Sequence, residues 1–88
     1  MPKNLKDEIL LIGQGIGEQI SSAKTMRSLD DIRISAFGKK GEITNYLKNL
    51  KSFDHDQRIE LGSVLNNMKN NLITSIEEKK QIILNFEL

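Results

Sequence analysis

Two apolar stripes at helical spacing, one near each end of a chain of only 88 residues, constrain the fold more than anything else in this sequence. In the first, Leu5, Ile9, Ile12, Ile16, Ile20 and Ala23 follow one another at steps of four, three, four, four and three. In the second, Leu61, Leu65, Met68, Leu72, Ile76, Ile83 and Phe86 form a coiled-coil-like seam on a segment that opens near Asp54. Residues three and four apart share one face of a helix, so both segments read as amphipathic helices. Both stripes contain a four-residue step where a strict heptad would take three, a stutter that relaxes supercoiling. A chain of this size buries only about two-thirds of its unfolded surface. The two stripes must therefore cover each other or a partner, and helices joined within one chain are expected to pair antiparallel.

Two shorter helical pieces lie between them. Ser28 is read as an N-cap, with Asp31 near the positive helix end and Leu29, Ile32 and Phe37 as the apolar face. Gly38 ends this piece. From Glu42 to Lys51, Ile43, Tyr46, Leu47 and Leu50 fall on one side. Asp54 and Gln57 make a capping-box pattern that opens the last helix. The predicted fold class is all-α: an antiparallel helical hairpin of two long helices, with two short helices and a Gly-Lys-Lys-Gly turn between them.

That turn, Gly38-Lys39-Lys40-Gly41, carries the functional signal. The glycines are expected to take φ > 0 and reverse the chain, leaving two lysines at an exposed tip. Net charge is only +1, but from Lys24 to Lys69 nine Lys/Arg stand against six Asp/Glu. Arg33, Arg27 and Lys24 precede the tip, Lys48 and Lys51 extend it, and Arg58 and Lys69 lie on the returning helix. Paired cations with such company suit a polyanion, foremost nucleic acid. A protein neutralising about five phosphates would bind with a log–log salt slope of about −3.5 to −4.5. Tyr46 could stack on a base, but its place in an apolar row favours core packing.

Other motifs carry less. Gly13-Gln14-Gly15 after Ile9–Ile12 imitates a dinucleotide-binding turn, but Glu18 stands where the third glycine belongs and no second strand follows. Packing against a facing helix is the simpler role for Gly13 and Gly17. His55 has no partners at metal-ligand spacing. Asp30/Asp31 and Glu77/Glu78 are sequence neighbours that diverge on a helix, and no general base serves a serine or threonine. The residues hold no catalytic constellation and no metal site. With no cysteine, disulfides and thiolate sites are excluded. No apolar run approaches the roughly 18–20 residues of a membrane span. The first eight residues make a poor signal peptide, so the cytoplasm is the expected location.

At Leu29-Asp30-Asp31-Ile32-Arg33, at Gly38-Lys39-Lys40-Gly41-Glu42-Ile43-Thr44, and at Arg58, Gly62, Asn66 and Lys69, the sequence resembles the N-terminal region of bacterial phenylalanine–tRNA ligase alpha subunits. The resemblance runs from the first helix to the final seam. It departs at Phe37, where leucine is more usual, and at Gly13–Gly17, where the family is alanine-rich. It implies that residues 1–88 are one antiparallel coiled-coil arm leaning on the corner of tRNA(Phe). It further implies a class II catalytic domain beyond Leu88 that binds ATP, Mg2+ and phenylalanine, and a beta subunit in an alpha2-beta2 tetramer. The expected tRNA contacts are Lys39, Lys40 and Arg33, then Arg27, Arg58 and Lys69; Gly62 is expected to permit close packing and Asn66 to bond near the helix interface. The alternative from another class is a helical protein–protein docking module with no RNA role.

Overall fold

The computed structural model describes residues 5–87, and all its regular structure is helical. Helix α1 spans Leu5–Ser22, α2 Met26–Phe37 and α3 Glu42–Asn49; a 3-10 turn at Leu50–Ser52 leads into α4, His55–Glu87. At about 1.5 Å per residue the 33 residues of α4 are about 50 Å long, the long dimension of a molecule measuring 50 × 27 × 18 Å. The other helices pack along it.

The stripes of α1 and α4 do cover each other: Ile9, Ile16 and Ile20 are buried together with Leu61, Leu65, Leu72, Ile76 and Ile83. Their direction differs from expectation. Lys6 Nζ lies 3.7 Å from Glu60 Oε1, Gly13 faces Met68, Gly17 faces Leu72, and Lys79 Nζ donates to the Ser21 carbonyl at 2.8 Å. Partners rise together along both helices, so α1 and α4 run parallel and the antiparallel hairpin is corrected. The return path is α2 and α3. Met26, Leu29 and Arg33 of α2 lie against Ile76, Glu77 and Lys80, while Leu50, farther along the chain, reaches back to Gly62. Ala23, Leu29, Ala36 and Ile43 complete the core.

Local details follow the same physics with shifted positions. The N-cap of α2 is Thr25, not Ser28: its Oγ1 accepts the Ser28 N–H at 3.0 Å and donates to Ser28 Oγ at 2.9 Å. The hydroxyl one turn earlier captures an otherwise unsatisfied amide, so the helix starts sooner. Asp54 caps α4 through a 2.9 Å bond from the Gln57 N–H. The last turn of α1 has no basic residue of its own, and Lys79 of α4 supplies a cation to the negative end instead. Phe86, assigned to the seam, is 89% exposed because α1 ends at Ser22 and leaves the last turns of α4 overhanging.

Candidate nucleic-acid interface

The turn after α2 is closed by a bond from the Gly41 N–H to the Gly38 carbonyl at 2.9 Å, with Lys39 and Lys40 between them. Neither glycine has a positive φ: Gly38 sits at φ −68°, ψ 178° and Gly41 at φ −70°, ψ 157°. What requires glycine here is closeness. A Cβ on Gly38 would lie 2.5 Å from the Ile34 carbonyl oxygen, and one on Gly41 2.5 Å from that of Ala36. The backbone folds so tightly onto the end of α2 that a side chain at either position would meet main-chain oxygen.

Lys39 and Lys40 are both exposed, and among the described residues neither ammonium lies within 4 Å of a carboxylate. Lys48 reaches back from the last turn of α3 to donate to the Lys39 carbonyl at 3.1 Å. Three cationic side chains thus come from one turn and the helix that follows it.

The remaining candidates are dispersed. Arg33 donates from Nε and Nη2 to Asp30 Oδ1 at 3.1 and 2.7 Å. An exposed pair of this kind contributes at most about 1 kcal/mol, so a phosphate could still recruit the guanidinium. Arg27 is exposed at the start of α2, on the face opposite buried Leu29 and Ala36. Arg58 is exposed in the first turn of α4. Lys69 lies in the apolar row between Leu65 and Leu72 and is half-buried. Lys39 and Lys40 share one turn, whereas Arg27, at the start of α2 where that helix meets Ile76 and Lys80, and Arg58, in the first turn of α4, lie toward opposite ends of α4. Lys48 was legible as patch charge; its bond to Lys39 was not, because it bridges nine residues across a bend.

Tyr46 packs against the core, and its phenol is raised above its usual pKa by burial first, then by the carboxylates of Glu8 and Glu42. Asn66 is exposed rather than at the helix interface. A Cβ on Gly62 would sit 3.6 Å from Leu50 Cδ1, ordinary contact distance, so close packing does not demand glycine there. Among the described residues no three His, Cys, Asp or Glu side chains are grouped to hold a metal ion. No helix among them is long and apolar enough to cross a membrane.

Residues 24–88 match the family described as aminoacyl tRNA synthetase class II, N-terminal domain. Among curated relatives, the phenylalanine–tRNA ligase alpha subunit of Wolbachia sp. subsp. Drosophila simulans is 36% identical over 93 residues, covering 100% of this chain and 27% of the relative. That of Fusobacterium nucleatum subsp. nucleatum is 30% identical over 84 residues, 96% of this chain and 25% of the relative. That of Ligilactobacillus salivarius is 35% identical over 81 residues, 91% and 23%. The chain spans about a quarter of the length of these relatives. No solved structure matches it.

Proposed function

The chain belongs to the aminoacyl tRNA synthetase class II N-terminal domain family, and from that premise we propose that it is a tRNA-binding arm of a phenylalanine–tRNA ligase alpha subunit. The observation that carries this reading is the exposed Lys39-Lys40 turn, without a carboxylate partner among the described residues and with Lys48 bonded to it. Cations held by backbone geometry on an elongated helical body contact the phosphates of a folded RNA without reading its bases. Such contacts orient the RNA and raise its local concentration, leaving bond chemistry elsewhere. Arg33 is the next contact, able to exchange Asp30 for phosphate, and Arg27, Arg58 and Lys69 are secondary.

In this reading residues 1–88 form a single arm. A class II catalytic domain outside it binds ATP, Mg2+ and phenylalanine, a beta subunit completes an alpha2-beta2 tetramer, and the assembly works in the cytoplasm. The arm contributes position and affinity for tRNA(Phe).

The test is binding of a tRNA(Phe) transcript to the chain and to its Lys39→Glu/Lys40→Glu variant across a salt series. Each phosphate contact adds about 0.7–0.9 to the log–log slope, which at 0.15 M salt amounts to about four- to sixfold in affinity. The double variant should therefore bind at least about tenfold more weakly, with a slope shallower by about 1.5. Equal affinity and equal slope would contradict the assignment.

One observation favours a second reading, a protein docking module. Between α1 and α4 a groove lined by Leu10, Gln14, Val64, Asn67, Met68 and Asn71 carries no charged side chain, and Leu10 is 47% exposed. Association through that groove would be insensitive to salt and to the lysine reversals.

A further inference from the structure

We propose that Lys48 is a positioning residue: its bond to the Lys39 carbonyl holds the turn in the conformation that presents Lys39 and Lys40. The inference rests on the RNA-binding reading for its purpose, but not for its geometry. Only four residues, Gly38, Lys39, Lys40 and Gly41, separate the end of α2 at Phe37 from the start of α3 at Glu42. Across the turn itself a single backbone bond, Gly41 N–H to Gly38 carbonyl, resists opening. The Lys39 carbonyl lies inside that loop, and a cation bonded to it pins the middle of the turn to the last turn of α3. Charge-assisted bonds of this kind are stronger than neutral ones.

The experiment compares the chain with its Lys48→Met, Lys48→Arg and Lys39→Met/Lys40→Met variants, and with the triple variant. Two readouts are used: NMR exchange of the Gly41 amide without RNA, and affinity for a tRNA(Phe) transcript at 0.15 M salt. Lys48→Met should make the Gly41 amide exchange several-fold faster and weaken RNA binding by about fourfold, the worth of one lost contact. Lys48→Arg, which keeps a charged donor, should restore most of both. In the Lys39→Met/Lys40→Met background, Lys48→Met should cost little further affinity, because the residues it positions are gone. Unchanged Gly41 exchange in Lys48→Met would overturn the proposal. So would an undiminished loss of affinity in the triple variant, which would make Lys48 a phosphate ligand in its own right. If Lys39→Met/Lys40→Met binds RNA like the unaltered chain, the RNA-binding reading fails, while the Gly41 exchange rate still decides whether Lys48 holds the turn.

Discussion

Gly13, Gly15 and Gly17 recur at every second position of α1, yet they meet three different surroundings. A Cβ on Gly13 would lie 2.6 Å from Met68 Cε and Sδ, one on Gly17 would touch only Leu72 at 4.0 Å, and one on Gly15 would meet nothing within 4 Å. Helical glycine costs about 1 kcal/mol relative to alanine. Gly15→Ala should therefore stabilise the chain by up to about 1 kcal/mol, raising the thermal midpoint by about 4–8 °C in a domain this small. Gly13→Ala should give less, or a loss, because the end of Met68 must move aside. Thermal melts of the two variants check this, and equal stabilisation would show that Met68 leaves its seat at no cost. At this scale the sequence exposed residue types but not their register. Thr25 and Ser28 are both hydroxyl residues three apart, so either satisfies the cap pattern. Their order was settled by where α2 begins, which depends on how the chain leaves α1. The glycines of the turn were likewise recognisable as obligatory, but the reason is main-chain crowding against Ile34 and Ala36 rather than a left-handed backbone.

Among the elements, α3 is the shortest helix and the one that ties the turn to the core, through fully buried Ile43 and half-buried Tyr46. Burial, Glu8 and Glu42 raise the Tyr46 pKa above the ordinary value of 10.0. The folded chain therefore keeps the phenolic proton longer than the unfolded chain. As pH rises through about 10 the unfolded state ionises first, so this group's contribution is intact below that pH and is lost above it. Urea midpoints should fall between about pH 9 and about pH 11 more steeply for the native chain than for Tyr46→Phe. An identical decline in the variant would show that Tyr46 carries none of the effect. Element existence was easy to read, since each helix has an apolar face of clear period. Direction was not, because a stripe of leucine and isoleucine has the same period whichever way its partner runs. What decided it was the intervening chain: α2 and α3 together hold 20 helical residues, about 30 Å of travel, enough to carry the chain back before α4 begins.

For the whole molecule, a body 50 Å long is organised about α4 as a single spine, with α1 parallel to it and α2 returning along it. The cationic turn lies on the return path rather than at the bend of a two-helix hairpin, so the presenting surface is the junction of α2 and α3. This explains why the basic residues named from sequence do not form one patch. Arg27 and Arg58 belong to helix starts that the topology keeps apart, whereas Lys48 is brought to Lys39 by folding alone. The site was thus half legible: the charges were visible, and the turn that organises them required the structure. The most direct measurement of the central claim is an NMR titration of the labelled chain with a tRNA(Phe) transcript at moderate salt, following every backbone amide. The largest shifts are expected at Gly38 through Gly41 and in the last turn of α3, fading as salt is added. Shifts confined to the groove between Leu10 and Met68, and unchanged by salt, would contradict it.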